Sequence, residues 1–153
     1  MSVKSAGILM YRYKNGELEI LLVHPGGPFW ARKDKGAWSI PKGICEKNEN
    51  LLTAAKREFH EETGFNIDGE FIDLGEIKQS SGKIVHIWAV EGDIDPNDIH
   101  SNTFQLEWPK GSGRIRQYPE VDKAAWFPIK LAKEKIAKGQ IGFLERLLKK
   151  LSG

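Results

Sequence analysis

The feature that most constrains this chain is an amphipathic segment that interrupts a series of strand-like segments. Asn50 is a favoured helix N-cap, and Gly64 is the residue that best adopts the left-handed conformation closing a helix. These two residues predict a helix from about Asn50 to Thr63. At about 100° per residue, one side of this helix gathers four apolar side chains, Leu51, Leu52, Ala55 and Phe59. A helix with one apolar side between strands indicates an α/β chain.

Strands are predicted on both sides of this helix. Two apolar runs, Ala6 to Tyr13 and Leu18 to Val23, flank an Asn15-Gly16 pair, which is the strongest short signal of a hairpin. Further strands are expected at Ala37 to Ile40, Glu70 to Lys78, Lys83 to Val90, Thr103 to Trp108 and Ala124 to Phe127. The strand at Ala37 to Ile40 should end at Pro41-Lys42-Gly43, and residues 110–116 are predicted to be a flexible basic loop.

Two more helices are predicted near the C-terminus. Pro128 suits the start of a helix whose apolar residues recur from Ile129 until Gly139. A last helix carries the i, i+3, i+4, i+7 stripe of Leu144, Leu147, Leu148 and Leu151. No repeat or linker is evident, so the 153 residues are expected to form one domain, 1–153.

Composition excludes several classes of function. No apolar run approaches the roughly 20 residues that span a bilayer, and the start Met1-Ser2 leads into strand-like residues without a signal-peptide pattern. We therefore expect a cytoplasmic protein with no membrane partner. One cysteine, Cys45, cannot form an intrachain disulfide, and the four histidines are too scattered to suggest a zinc site. A net charge of +2 does not demand a nucleic-acid partner.

Three carboxylates share one side of the predicted catalytic helix. Taking Glu58 as zero, Glu62 lies at about +40° and Glu61 at about −60°, whereas His60 points away toward solvent. Like charges in the last turn of a helix are locally unfavourable, and a Mg²⁺ ion would reverse that balance. Arg57 can hold a carboxylate through its planar guanidinium. A solvated acidic helix end is the alternative explanation.

The wider motif is much more specific. It reads Gly43-x5-Glu49-x7-Arg57-Glu58-Phe59-x-Glu61-Glu62-x-Gly64-Phe65, which places nine specified positions within 23 residues. This string matches, without departure, the box of the Nudix (MutT-like) hydrolase family, and the chain resembles that family over nearly its whole length. The resemblance implies an α/β/α sandwich with a mixed central sheet and a catalytic helix after the Nudix loop, with the Nudix box at residues 43–65.

The resemblance also implies an activity and its residues. Family members use Mg²⁺ or Mn²⁺ to hydrolyse a nucleoside diphosphate linked to another group X by water attack on phosphorus. The implied metal ligands are the carbonyl of the first box glycine and the helix glutamates, here Gly43, Glu58, Glu61 and Glu62. Glu49 and Arg57 match positions that orient the others, and Gly64 is structural. The general base comes from the box or from a later loop, where Glu120 is the candidate and Glu107 the competitor.

The substrate is less constrained. The entry to the box, Trp38 to Gly43, resembles branches that cleave dinucleoside polyphosphates and diphosphoinositol polyphosphates. Dinucleoside polyphosphates or nucleoside triphosphates are therefore favoured. The alternatives are removal of pyrophosphate from the 5′ end of RNA and a non-catalytic nucleotide-sensing module. The sequence does not indicate the oligomeric state.

Several side chains are candidates for substrate binding. The basic candidates for phosphate are Lys42, Arg32, Lys110, Arg114 and Arg116, and the aromatic candidates for base stacking are Trp30 and Tyr118. Exposed basic residues more often serve solubility, and single aromatic residues are as often packing residues. The role of His24, at a strand end, is left open.

Overall fold

The computed structural model describes residues 3–153; Met1 and Ser2, where the argument about a signal peptide starts, lie outside the described residues. The strands are β1 (Lys4–Lys14), β2 (Glu17–Pro25), β3 (Lys42–Ile44), β4 (Ile72–Lys78), β5 (Ile84–Glu91), β6 (Thr103–Glu107), β7 (Ile115–Pro119) and β8 (Val121–Pro128). The helices are α1 (Leu51–Thr63), α2 (Ile129–Lys135) and α3 (Ile141–Leu151). Short 3-10 turns occupy Pro96–Asp98 and Lys138–Gln140.

A mixed sheet forms the centre of the fold. Its strand order is β4-β5-β1-β2-β8, and β3 pairs with the beginning of β1. Strands β1 and β5 are parallel, while the other pairs in this sheet are antiparallel. Strands β6 and β7 form a separate two-stranded ribbon. The predicted mixed sheet is confirmed.

Helices cover both faces of the sheet, because successive strand residues point to opposite sides. One face of β1, including Ile8 and Met10, packs against α1 through Phe59. The other face of β1, including Leu9, packs against α3 through Phe143. The predicted α/β/α sandwich is therefore confirmed, with α1 alone on one face and α2 and α3 on the other.

The first hairpin follows its sequence signal. Asn15 and Gly16 both have positive φ, at 53° and 80°, which is the backbone of a two-residue type I′ turn. Lys14 consequently pairs with Glu17, and Tyr13 with Leu18. This turn sets the register that brings the buried residues of β1 and β2 onto the same two faces.

The predicted strand at Ala37 to Ile40 is wrong. Trp38 and Ser39 make only isolated bridges, and the strand forms instead at Lys42–Ile44. The reason lies in β1, where Gly7 has no side chain: a Cβ there would collide with the Pro41 carbonyl and lie 2.6 Å from the Lys42 Cβ. Only a glycine lets this segment approach β1 so closely, and its local sequence does not reveal that partner.

Two other predictions need correction. Ile115 and Arg116, predicted to lie in a flexible loop, begin strand β7, which is paired with β6. The strand was missed because most of its residues are exposed and show no apolar alternation. The helix predicted until Gly139 ends at Lys135, since Ile136 is extended and the next N–H, that of Ala137, donates to the Trp38 carbonyl.

No helix among residues 3–153 is long and apolar enough to cross a membrane.

Candidate active site

Helix α1 is held at both ends, and this fixes the direction of its glutamates. The Asn50 side chain accepts hydrogen bonds from the N–H groups of Leu52 and Thr53, and Gly64 takes the left-handed conformation with φ 81°. Burial of Phe59 fixes the rotation of the helix about its axis. Glu58 and Glu62 then lie beside the buried face, and His60 is exposed, as predicted.

Arg57 organises the acidic residues around it. Its guanidinium donates two hydrogen bonds to Glu49, from Nε at 2.8 Å and from Nη2 at 2.9 Å. Its Nη1 also donates to Glu58 at 2.9 Å and to Glu61 at 3.1 Å, and Nη2 donates to the Ile44 carbonyl at 3.0 Å. The hydrogen bonds from Arg57 lower the pKa of Glu49, which also accepts from the Glu46 N–H. Glu49 is thereby fully engaged in positioning Arg57.

Gly43 lies directly against the helix glutamates. A Cβ built at this position would collide with the Glu58 carboxylate. Only glycine leaves room for that carboxylate beside the strand β3 backbone, so residue 43 and Glu58 form one oxygen-rich recess. The predicted pairing of the first box glycine with the helix acids is therefore present as a spatial arrangement.

A cavity of about 190 Å³ adjoins this recess. Its lining residues are Val23, Pro25, Ser39, Lys42, Glu62, Glu120 and Val121. Burial, reinforced by the charges of Glu58 and Glu120 and opposed by Lys42, raises the pKa of Glu62 to about 8. Burial also lowers the pKa of Lys42, and nearby Lys83 acts in the same direction. The cavity therefore sets a buried carboxyl group beside a buried ammonium group.

Glu120 reaches this cavity from the junction of β7 and β8. Its N–H donates to the Asn102 carbonyl at 2.8 Å, and the Asn102 N–H donates to the Glu61 carbonyl at 2.8 Å. The segment 100–102 is thus a bridge between the last turn of α1 and Glu120. Partial burial, together with the charge of Glu61, raises the pKa of Glu120.

The competing candidate, Glu107, lies elsewhere. Its carboxylate accepts hydrogen bonds from the N–H groups of Gly111 and Gly113 at the end of the β6–β7 ribbon. That geometry serves the turn of the ribbon, whereas Glu120 lines the cavity. The positions of the two side chains favour Glu120 as the extra carboxylate.

The residues around the recess offer the hard oxygen donors that a divalent cation prefers. Glu58, Glu61 and Glu62 supply carboxylates, and the Gly43 recess is open only because that residue has no side chain. In the described part of the chain, no group of three acidic, histidine or cysteine side chains forms a ready-made metal cage. The residues therefore fit an open site, in which water and substrate oxygens complete the coordination, rather than a closed structural one.

The other predicted substrate contacts are not part of the cavity wall. Four basic side chains, Arg32, Lys110, Arg114 and Arg116, are exposed. The indole of Trp30 packs edge-on against Phe29 with ring centroids 5.1 Å apart. The ring of Tyr118 lies 6.1 Å from that of Phe104 on the ribbon. Of the predicted substrate-binding residues, only Lys42 lines the cavity.

His24 is a supporting residue whose role the sequence left open. It is buried, its Nε2 donates to the Lys33 carbonyl at 2.6 Å, and its Nδ1 lies 2.9 Å from the Asp122 carboxylate. His24 thus joins the loop after β2 to strand β8, two residues beyond Glu120. Its place at the end of an apolar strand was the only local signal.

Comparison with known proteins places this geometry in a family. The chain is 27% identical over 149 residues to an 8-oxo-(d)GTP phosphatase of Mycolicibacterium smegmatis, a match covering 88% of this chain and 38% of that protein. Nudix hydrolase 21 of Arabidopsis thaliana is 30% identical over 126 residues, covering 77% of this chain and 56% of the relative. The chain therefore spans well under two thirds of the length of these relatives.

A solved structure has the same fold at nearly equal length. The Ap4A hydrolase of C. elegans, solved as a binary complex, superposes with a TM-score of 0.65 at 24% identity, covering 99% of this chain and 98% of that one. The family model described as the NUDIX domain matches residues 1–147. With that match over nearly the whole chain, and with its box glutamates, arginine and glycine gathered on one helix and the adjoining strand, this chain belongs to the Nudix family.

Proposed function

We propose that the chain is a metal-dependent hydrolase that cleaves a phosphoanhydride bond in a nucleoside polyphosphate. The observation that carries this proposal is the convergence of Glu62, Glu120 and Lys42 on one cavity. These residues come from a helix, a strand junction and the strand β3, so tertiary folding alone brings them together. A purely structural acidic helix end would not need a distant carboxylate and a buried lysine beside it.

The printed activities of similar proteins support the substrate class. One relative is an 8-oxo-(d)GTP phosphatase, and a protein of the same fold is an Ap4A hydrolase. Both names describe proteins that act on nucleoside polyphosphates. We infer that dinucleoside polyphosphates or nucleoside triphosphates are the substrates of this chain.

A divalent cation is expected in the site, as Nudix hydrolases generally use one. Gly43 and the glutamates at 58, 61 and 62 would hold it, with Mg²⁺ or Mn²⁺ as the candidates. When bound, such an ion offsets phosphate charge and lowers the pKa of water that attacks phosphorus.

The residues of the chain divide the remaining work. Lys42 lines the cavity and is placed to contact a phosphate oxygen. Arg57 holds Glu58 and Glu61 at 2.9 and 3.1 Å, which limits the number of carboxylate orientations that substrate must select. Glu62 and Glu120, whose pKa values are both raised, are the candidates to accept a proton from the attacking water.

A product assay over a panel of compounds tests the proposal. The panel contains diadenosine polyphosphates, nucleoside triphosphates, nucleotide sugars and 5′-triphosphorylated RNA, each with Mg²⁺ and with Mn²⁺. We expect a nucleoside polyphosphate to be cleaved best and Glu62→Gln to lose at least about a hundredfold in kcat. Lys14→Ala, an exposed change on the far end of β1, is the matched control.

Other results would select the remaining candidates. Preferred cleavage of 5′-triphosphorylated RNA would favour the RNA reading. Nucleotide binding that is unaffected by a chelator and yields no product would favour a sensing module. The NUDIX domain of Shewanella oneidensis NrtR, which was solved with ADP ribose, shows that this fold accommodates such a ligand.

A further inference from the structure

The β6–β7 ribbon carries two chemically different faces. Residues directly opposite each other in an antiparallel pair lie on the same face, and the pairs here are Phe104 with Tyr118 and Leu106 with Arg116. The next pair outward is Trp108 with Arg114, joined by a hydrogen bond of 3.0 Å from the Trp108 N–H to the Arg114 carbonyl. We call this set, Phe104, Leu106, Trp108, Arg114, Arg116 and Tyr118, the aromatic face of the ribbon.

The opposite face is built differently. It carries the side chains of Thr103, Gln105, Glu107, Ile115, Gln117 and Pro119. Gln105 and Gln117 are both exposed and lie opposite each other. Aromatic rings and guanidinium groups are therefore concentrated on one side of the ribbon, where a solubilising role alone would spread them over both sides.

The aromatic face is directed toward the loop that follows β2. A Cβ at Gly27 would lie 3.1 Å from the Phe104 ring, so the inner end of this face rests on that loop. Farther out, Trp108 is 40% exposed, and both Arg114 and Arg116 are exposed. The same loop carries Lys33, whose Nζ lies 3.6 Å from the centre of the Phe29 ring. Cations and aromatic rings thus occur on both elements.

The ribbon is continuous with the active site. Strand β7 ends at Pro119, and the next residue is Glu120, which lines the cavity. Counting from Glu120 to Arg114 at about 3.3 Å per residue, the aromatic face extends about 20 Å outward from the site. A substrate group bound there lies beyond the phosphates, on the path leading away from the cavity along the ribbon.

We propose that the aromatic face of the ribbon binds the second nucleotide of a dinucleoside polyphosphate. This inference rests on the proposed function and assigns a place to the group X. Arginine guanidinium groups pair with phosphate oxygens, and aromatic rings stack on a base. A single phosphate would leave the rings without a partner, and a neutral sugar would leave both arginines without an anion. A nucleotide uses both.

Variants on the two faces of the full chain test this inference. Trp108→Ala and Arg116→Ala alter the aromatic face, and Gln105→Ala and Gln117→Ala are the matched controls on the opposite face. For each, kcat/KM is measured with diadenosine tetraphosphate and with ATP. The dissociation constants of both nucleotides are measured in the Glu62→Gln background, where turnover is suppressed. Thermal unfolding establishes that all the variants are folded.

We expect each aromatic-face variant to weaken diadenosine tetraphosphate by about tenfold, in kcat/KM and in affinity, with ATP changed less than about twofold. The controls should change neither nucleotide by more than about twofold. Equal losses for both nucleotides, or no loss for either, would overturn the inference while leaving hydrolysis intact. A larger loss for a 5′-triphosphorylated oligoribonucleotide than for diadenosine tetraphosphate would also overturn it.

Failure of the proposed function gives a different result. If the wild-type chain cleaves neither nucleotide, the dissociation constants still decide the question. A selective loss of diadenosine tetraphosphate affinity in Trp108→Ala and Arg116→Ala would then support the ribbon site without hydrolysis, and equal affinities would remove it.

Discussion

Glu62 is the residue at which stability and chemistry oppose each other. Burial, with Glu58 and Glu120 nearby, raises its pKa to about 8 from an ordinary value of 4.5. The folded chain therefore holds the proton more tightly than the unfolded chain does. The stability associated with this proton is complete below pH 4.5 and is lost as the pH rises through about 8.

Unfolding by urea in the presence of a chelator tests this linkage. Between pH 5 and pH 8.5, we expect the wild-type chain to lose on the order of 3 kcal/mol through Glu62, and Glu62→Gln to lack that loss. Glu58 and Glu120 also have raised pKa values, so the quantity to compare is the difference between the two proteins. An equal pH dependence in both would contradict the assignment.

Gly43 supplies a second test at the residue scale. In Gly43→Ala, the added Cβ meets the Glu58 carboxylate and must displace it. We expect kcat/KM to fall at least about a hundredfold, because misplacing a single group in a preorganised site has effects of that size. Gly139→Ala is the control, since its Cβ would meet only the Gln79 side chain at 3.3 Å, and its activity should stay within about twofold.

At the scale of elements, the end of α1 is coupled to the position of Glu120. Gly64 is in the left-handed conformation, and a Cβ there would lie 2.9 Å from the His100 Cβ. His100 donates its N–H to the Thr63 carbonyl, and Asn102 connects Glu61 to Glu120. One short segment therefore satisfies carbonyl groups at the helix end and places a carboxylate at the cavity.

Gly64→Ala should consequently affect stability and activity together. We expect a loss of about 1 to 2 kcal/mol in the free energy of unfolding, with a larger fall in kcat than in substrate affinity. Asn50→Ala, at the other end of the helix, removes an N-cap and should cost about 1 kcal/mol with kcat nearly unchanged. Urea unfolding and steady-state kinetics measure the two effects. Equal changes in kcat for both variants would contradict the coupling.

Over the whole molecule, the two faces of the sheet have different tasks. Phe59 and Phe143 are both fully buried, one under α1 and the other under α3. The α1 face supports the glutamates, whereas α2 and α3 cover the face away from them. The same truncation on the two faces should therefore cost similar stability and different activity.

Phe59→Ala and Phe143→Ala form this matched pair. Each should lower the free energy of unfolding by about 3 to 5 kcal/mol. At a temperature where both are folded, only Phe59→Ala should lower kcat/KM by more than about tenfold, since it frees the helix that holds the carboxylates. Phe→Leu at each position provides a milder pair should either variant fail to fold. A comparable loss of activity in both would refute this division.

The sequence by itself determined the features that depend on neighbours along the chain. Helix α1 and its caps, the Asn15-Gly16 hairpin and the clustering of Glu58, Glu61 and Glu62 all follow from local periodicity and turn chemistry. The box motif adds a second local pattern, and it identified the family. Contacts within a helix or a two-residue turn are fixed by backbone geometry, so a single sequence reveals them.

Tertiary structure alone decided the rest of the site. Strand β3 forms where Gly7 allows a close approach, and the ribbon strand β7 exists because β6 pairs with it. Glu120 was a candidate from the sequence, but its choice over Glu107 required the bridge through Asn102. Each of these depends on a partner many residues away, and the pairing of distant segments is set by packing of the whole chain rather than by local pattern.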